Sequence, residues 1–519
     1  MTSSGADSRG RSRGTDVADD PAETLSGATP EVSGGPPVAP PILLGGILAL
    51  GAVLAVFRSG VRSFWQDEAT SVALAHLKWT SLAKVLWHGE NNMALYYGVL
   101  HVWIGAVGDR ESAVRMFSAL AAVGAVGALY LLGARMFDRR VGFIAALLLS
   151  VNAYQIRYGQ EARSYSLLVL LVTLSSWAYC RVLERPHRAN MVLYCTASIL
   201  AVYAHFFAAL VLAAQWLSLV FVGRRAPALK AALASAGIIC LLLVPLAVLA
   251  ARNPHQVDWI PTPGPKAILF LFYALTGAAP TGAKALLLAY FGACAAAFGV
   301  GVKQFAAGRF SRATWTYGFL VMWLAVPLVV TLAISVVKPI FMMYYLIILL
   351  PPLVLLAAAG ISKIPTTAGI AAAVVLIVAM ALYEDARYLW SAADEDWRGA
   401  VAYAASQLQP DDGFVFDPTY VETPFVYYRP RLFAAGEPPP AAFPWDWSWE
   451  RIADGQPRIT RIPGEVVRTL PSRYSRIWLF SRRGETEPRL TAVLAAGCAR
   501  GTQRDFGAVT LTLYGRCKP

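Results

Sequence analysis

Charge is scarce in this chain. Of its 519 residues only 15% are Asp, Glu, Lys or Arg while 57% are hydrophobic, whereas a soluble domain averages about 25% charged and about 45–50% apolar. An ordinary soluble fold is excluded and a polytopic membrane protein expected. Cysteine is scarce as well: there are six, with no CxxC and no Cys/His spacing that would hold zinc. Nor is there a Gly-rich phosphate loop, so a nucleotide-bound donor has no evident cytoplasmic site. Acidic residues number 32 against 45 basic ones, a net charge of +13. In a soluble chain that excess would suggest nucleic acid, but here Lys and Arg fall in short gaps between apolar runs, where they set topology. No nucleic-acid partner is expected.

The first forty residues are Ser, Gly, Pro and Asp without apolar periodicity, too polar to bury a core, and read as a disordered cytoplasmic tail. They lack the early apolar core and cleavage site of a signal peptide, so the run from about Pro41 to Phe57 is expected to remain as an anchor. Basic clusters then recur at Arg135/Arg139/Arg140, Arg181/Arg185/Arg188, Arg224/Arg225/Lys230 and Lys303/Arg309/Arg312, with a weaker one at Lys363. If each faces the cytoplasm, an even number of crossings separates successive clusters. That parity requires Ala94–Val107 to lie at the outer surface or to dip in without crossing, and makes 267–279 a juxtamembrane helix. About eleven spans result, each near the ~20 residues a bilayer needs.

The expected fold is therefore an α-helical polytopic membrane protein, with residues 41–384 as the transmembrane domain and 58–111 as a large extracytoplasmic loop. Within that loop, "KWTSLAKVLWHG" places Trp79, Leu82, Leu86 and Trp87 near one face of an interfacial helix, the ordinary alternative being a plain loop helix. From residue 385 the composition turns mixed, with a helix pattern at Trp397–Gln407 and strand-like runs at Gly413–Phe416, Arg476–Phe480 and Ala508–Tyr514. These predict an extracytoplasmic α/β domain over 385–519. Its two cysteines, Cys498 and Cys517, are available to a disulfide in an oxidising compartment.

The acidic pair Asp67 and Glu68, in "FWQDEAT", lies about ten residues beyond the first span, on the outer side by parity. Solvated loop charge is the ordinary reading; carboxylates at a membrane rim are also candidates for acid–base work. Three constellations share that face. "NAYQIRYGQEARSYSL" carries Arg157, Tyr158, Gln160, Glu161, Arg163 and Tyr165, which snorkelling would explain equally. "YAHFFA" puts His205 at a span end, where a lone His is most often structural. "VVKPIFMMYYL" brings Lys338, against the inside bias of positive charge, together with Tyr344 and Tyr345, which the interfacial aromatic belt would also explain.

Outer carboxylates and cations beside lipid suit transfer of a group from a lipid phosphate. A carboxylate takes the proton of an acceptor hydroxyl while cations stabilise the departing phosphate, with the lipid tail in a groove between spans. A transporter or flippase would instead show interrupted helices in corresponding halves or an internal repeat, and neither is evident. A noncatalytic envelope scaffold is the third reading, and it would leave Asp67 dispensable.

The order "DEA", "ALYYGVLHVWIGAVGDRESAVRMFSAL", "YGQEARSYSL", "YAHFF" and "KPIFMMYYLIILLPPL" resembles the GT-C superfamily of polyprenyl-phosphate-sugar-dependent membrane glycosyltransferases, in the branch of protein O-mannosyltransferase-like and aminoarabinose-transferase-like enzymes. The resemblance covers roughly 41–385. It implies inverting transfer of a monosaccharide, mannose or arabinofuranose foremost, from a polyprenyl-phosphate donor to a hydroxyl of an envelope glycan, glycolipid or protein. By the same resemblance Asp67 is the candidate base and Glu68 its partner, helping to hold the acceptor or a divalent cation. Arg157, Tyr158, Glu161, Arg163, Lys338 and Tyr345 line the donor phosphate region, and His205, Asn92 and Tyr97 support or hold the acceptor. Two departures stand out: Asn91 and Asn92 replace a Pro-rich stretch, and Met343 stands where many relatives carry Arg. The expected location is the plasma (inner) membrane, N-terminus cytoplasmic and C-terminal domain outside, and the Ala, Arg and Gly richness suggests a high-GC bacterium.

Overall fold

The computed structural model describes residues 41–222, 226–279, 284–306, 311–433, 441–443, 449–456 and 461–517; the tail and Arg224, Arg225 and Arg309 lie outside them. Helix α1 (Pro41–Val56) leads to three short helices, α2 (Gln66–His76), α3 (Trp79–His88) and α4 (Ala94–Val107). Then come α5 (Glu111–Met136), α6 (Arg139–Ser150), α7 (Ala153–Gly159), α8 (Tyr165–Glu184), α9 (Arg188–Ala204) and α10 (Ala208–Leu217). The remaining apolar helices are α11 (Ala226–Arg252), α12 (Ala267–Leu275), α13 (Lys284–Ala306), α14 (Arg312–Val337), α15 (Leu350–Ile361) and α16 (Thr367–Trp390).

Among the described residues six helices, α5, α8, α11, α13, α14 and α16, are long and apolar enough to cross a bilayer. Helices α6 and α7 form a seventh candidate as a pair bent by 61°. Shorter apolar helices at Pro41–Val56, Ala208–Phe221 and Tyr345–Ile361 pack with them. Helix α12 has nine residues, about 14 Å at 1.5 Å per residue, well short of a hydrocarbon core of about 30 Å. The basic ends meet at one end of the bundle: Glu184, ending α8, pairs with Arg135 at the end of α5 and, at 2.8 Å, with Arg312 at the start of α14. Asp67, at the start of α2, lies close to Arg163, just ahead of α8, and so to the opposite end of that helix.

Beyond the bundle lie α17 (Trp397–Ser406), β1 (Asp412–Asp417), α18 (Glu422–Leu432), β2 (Ala441–Phe443), α19 (Trp449–Ala453), α20 (Gly464–Arg473), β3 (Arg476–Arg482), α21 (Pro488–Gly497), β4 (Ala499–Phe506) and β5 (Val509–Gly515). The sheet order is β2-β1-β3-β5-β4, parallel on the β2-β1-β3 side and antiparallel on the other. Phe414, Phe416, Trp478 and Phe480 face one side, while Val415, Ile477 and Leu479 face the other with Leu470, Leu490 and Leu494. Both faces are covered, so these strands read as continuous apolar runs rather than alternating ones. Cys498 and Cys517 are joined by a disulfide.

One boundary and one helix face differ from expectation. Helix α16 does not stop near residue 384 but continues to Trp390, because its change of composition is absorbed locally: Glu384 pairs with Arg387 one turn on, and Asp385 is buried. In α3 the buried positions are Leu82 and Val85, against α19, while Trp79 and Trp87 are exposed. Trp79 instead packs on His101, and Arg252 lies over the Trp87 ring. The outer loop and the C-terminal sheet share one apolar core, in which Val72, Leu74, Tyr96 and Leu100 join Trp397, Phe425 and Phe480.

Candidate active site

Asp67 and Glu68 open α2, and the two neighbours have opposite surroundings. The Glu68 side chain is 1% exposed and the Asp67 side chain 33%. One carboxylate oxygen of Glu68 accepts from Arg115 Nε at 2.7 Å and from the Ala162 amide at 2.7 Å. The other accepts from Arg115 Nη2 at 2.5 Å and from the Trp65 amide at 3.3 Å, a reach back to the helix cap. Arg115, in α5, spends its remaining donors on the carbonyls of Ser59, Arg62 and Ser63. Glu68 is thus the knot of a buried clamp, not a second open carboxylate. With both oxygens filled by N–H donors it does not fit a divalent-cation site shared with Asp67. Among the described residues no three His, Cys, Asp or Glu groups gather in a way that could hold a metal.

Asp67 is left facing the cluster. Its Oδ2 lies 3.4 Å from Arg163 Nη2, and Arg163 Nη1 donates to the Asp67 carbonyl (3.4 Å) and the Ser71 hydroxyl (3.3 Å). Asp67 lies within electrostatic reach of Tyr97, Tyr165, Tyr344 and Tyr345. Arg163, 7% exposed, reaches the same four phenols and His205. The aromatic rings run in a ladder: Tyr154 to Tyr158 and Tyr158 to Tyr165 at 4.9 Å between centroids, Tyr165 to Tyr344 at 5.2 Å, and His205 to Tyr345 at 4.7 Å. Tyr345, Glu161 and Arg163 are buried, whereas the Arg157 side chain is 44% exposed.

The segment 153–165 reaches the cluster because Asn152 breaks the helix. Its side-chain oxygen caps α7 by accepting from the Tyr154 and Gln155 amides, both at 3.1 Å, and its Nδ2 donates to the Leu275 carbonyl at 3.0 Å. Chain therefore turns inward as α7 and leaves through Gln160–Ser164 into α8. Arg157 pairs with Glu161 at 3.0 Å and with Asp394 at 3.2 Å; the pairing of Glu161 is with Arg157 and that of Arg163 with Asp67. Burial pushes the Glu161 carboxyl up to about 7, Arg157 opposing the rise and Glu68 adding to it.

His205 ends α9 with 2% exposure. Its Nδ1 accepts from the Phe207 amide at 3.3 Å, and burial, reinforced by Arg163, pushes its pKa down to about 3. The neutral ring turns Nε2 into the interior without a hydrogen-bond partner among the described residues. Glu161 Oε2, Arg163 Nε, Asn91 Nδ2 and Asn92 Oδ1 are buried and unpartnered in the same sense, a concentration of unmet polar capacity that native interiors rarely carry. Tyr97 is fully buried on α4, and burial holds its phenol above its ordinary value, so it stays a donor. Lys338 pairs with Asp258, in the turn after α11, at 3.2 Å.

Sequence reasoning missed three contributors. Arg115 lies in α5, and only the fold turns it toward Glu68. Glu90 lies within electrostatic reach of Tyr97 and Tyr345, as Asp67 does; its place just before Asn91 and Asn92 was the available signal. Glu395 meets the start of α2 from 329 positions away. A groove of about 670 Å³ runs between α4 and α9, lined by Leu95, Val99, Val102, Trp103, Leu200 and Tyr203 among others. The same two helices carry Tyr97 and lead into His205.

Residues 93–251 match the family model described as dolichyl-phosphate-mannose-protein mannosyltransferase, a stretch that includes Glu161, Arg163 and His205 but not Asp67. No curated protein sequence matches the chain. Among solved structures, ArnT from Cupriavidus metallidurans in the apo state aligns with a TM-score of 0.58 at 13% identity, covering 91% of this chain and 97% of that one. The same protein bound to undecaprenyl phosphate aligns with a TM-score of 0.56 at 12% identity and the same coverage. The chain has the fold of these ArnT structures.

Proposed function

We propose that the protein is an inverting glycosyltransferase that moves a monosaccharide from a polyprenyl-phosphate donor to an acceptor hydroxyl at the outer face of the membrane. The observation that carries the reading is the split between the two carboxylates: Asp67 is open, beside a buried Arg163 and four tyrosines, while Glu68 is consumed in holding the loop. The acceptor hydroxyl gives its proton to Asp67 as its oxygen bonds the anomeric carbon. The bond from that carbon to the phosphate oxygen breaks, and polyprenyl phosphate leaves with the electron pair. Arg163, Tyr345, the Nε2–H of neutral His205 and Tyr97 are the donors available to the growing phosphate charge. The apolar groove between α4 and α9 suits a lipid chain, as does the undecaprenyl phosphate named for the ArnT structure.

Mannose is favoured by the description of the matching family model, with arabinofuranose next, and the acceptor is an envelope glycan, glycolipid or protein. We place the Asp67 end of the bundle and the region 385–519 outside a bacterial plasma membrane, with the N-terminus in the cytoplasm, on the grouping of Arg135, Glu184 and Arg312 at the other end. The test is turnover of purified protein in liposomes with polyprenyl-phosphate mannose or arabinofuranose, read as release of polyprenyl phosphate. Asp67→Asn should lower it by about 10² or more. A transporter or a scaffold would tolerate that change, and unchanged turnover would refute the assignment.

A further inference from the structure

The segment that delivers Asp67 is held only in part by its own sequence, through the reach of Glu68 back to the Trp65 amide. Residues 58–65 form no helix or strand, and α2 begins after Trp65, which has no side-chain acceptor to satisfy the first amides of a helix. Beside the clamp of Glu68 and Arg115, a second set of bonds comes from the far end of the chain. The Ser63 hydroxyl donates to the Glu395 carbonyl (2.8 Å) and accepts from the Trp397 amide (3.1 Å), and the Phe64 amide donates to the Tyr428 hydroxyl (2.6 Å). At α2 itself the Gln66 amide donates to Glu395 Oε2 at 3.0 Å, while the Gln66 side chain donates to the Tyr420 carbonyl at 2.8 Å.

Glu395 is 4% exposed and fully engaged. Its Oε2 also accepts from Trp397 Nε1 at 2.8 Å, and its Oε1 pairs with Arg482 of β3 at 2.9 Å. A rigidly seated carboxylate therefore closes the N-terminus of α2, where negative charge also meets the positive end of the helix dipole. Asp67 follows Gln66 directly, so the direction of its side chain is set by that first turn. The geometry points to Glu395 as a positioning residue for Asp67: the C-terminal region reaches back to cap the catalytic helix and thereby aims the base. This inference rests on the reading of Asp67 as the base.

One backbone hydrogen bond can be removed cleanly. Gln66 is the first residue of α2, where proline is favoured because its missing N–H needs no helical partner, and Trp65 is extended (φ −86°, ψ 174°), as a residue before proline should be. Gln66→Ala removes the side-chain bond to Tyr420; Gln66→Pro removes that bond and the amide to Glu395. The proline variant should turn over about tenfold or more slowly than the alanine variant, with KM for the donor unchanged, because small misplacements of a reacting group cost rate rather than binding. Glu395→Gln, which keeps an oxygen for the Gln66 amide, should retain more kcat than Glu395→Leu; should Glu395→Leu fail to fold, the Gln66 pair decides the matter by itself. Equal kcat for the proline and alanine variants, or a loss confined to KM, would overturn the inference. Asp67→Asn is run beside them: if it too keeps full turnover, the base assignment fails, whereas an inactive Asp67→Asn with equal Gln66 variants sinks only the positioning role.

Discussion

The same chemical change at two adjacent residues should give opposite phenotypes. Glu68→Gln removes the charge that faces Arg115, whose side chain is 4% exposed and whose remaining bonds go to three backbone carbonyls. Breaking a buried pair from one side costs about 3–5 kcal/mol, because the other charge stays buried and uncompensated. The amide of Gln adds a second fault, since in either orientation its NH2 faces two of the four N–H donors now bound by Glu68. Asp67→Asn touches an ion pair at 3.4 Å whose carboxylate is one-third exposed, keeps a side-chain oxygen toward Arg163 and leaves that guanidinium its bonds to the Asp67 carbonyl and the Ser71 hydroxyl, so it costs less than Glu68→Gln. In detergent, Glu68→Gln should therefore melt well below the parent, with faster amide exchange over residues 59–66, while Asp67→Asn melts like the parent and is inactive. Glu68→Leu combined with Arg115→Met should recover most of the lost stability, since no unpaired charge remains. A Glu68→Gln protein that is as stable as the parent yet inactive would refute the clamp, and would make Glu68 a participant in the chemistry.

Further predictions concern the pH behaviour and the C-terminal region. Glu161 has its carboxyl raised from 4.5 to about 7 in the fold, so the folded state binds more protons than the unfolded one between those values. The contribution of Glu161 to stability is thus greatest below about pH 4.5 and falls as pH rises toward 7; Glu161→Gln should flatten that part of a melting-temperature profile. His205, with its pKa near 3, stays neutral throughout the working range, so the pH–rate profile of His205→Gln should keep every inflection of the parent while kcat drops. The Cys498–Cys517 bond spans 19 positions, which the chain-entropy model values at about 3 kcal/mol. Cys498→Ser with Cys517→Ser should speed proteolysis of the C-terminal region. In intact cells a membrane-impermeant thiol reagent should reach these cysteines only after reduction, and labelling restricted to the cytoplasmic side would reverse the orientation.

Much of the fold was legible. Apolar runs, the basic gaps and the short Pro-flanked segment at α12 carry their own physical signatures, because a bilayer demands length and charge asymmetry that can be counted. Strands β1 and β3 stood out because both faces are buried. Strand β4, "ARGTQRDF", did not, since it lies at the sheet edge with nearly every residue exposed. Polar clusters at outer turns were found as motifs, but their pairing was not legible: Arg163 goes to Asp67 and Glu161 to Arg157, a choice made by the bend at Asn152.

By itself the sequence determined that this chain lives in a membrane, that its two acidic neighbours sit just past the first span, and that tyrosines, arginines and a histidine recur near the same ends. Those properties follow from local composition and spacing. Which carboxylate is open was decided only by tertiary structure. Asp67 and Glu68 are chemically almost the same, and they diverge because one helical step turns Glu68 toward Arg115 and the Ala162 amide while Asp67 faces Arg163. Glu395 belongs to the same class of fact: a charge far along the chain acquires its task only when folding brings it to the start of α2.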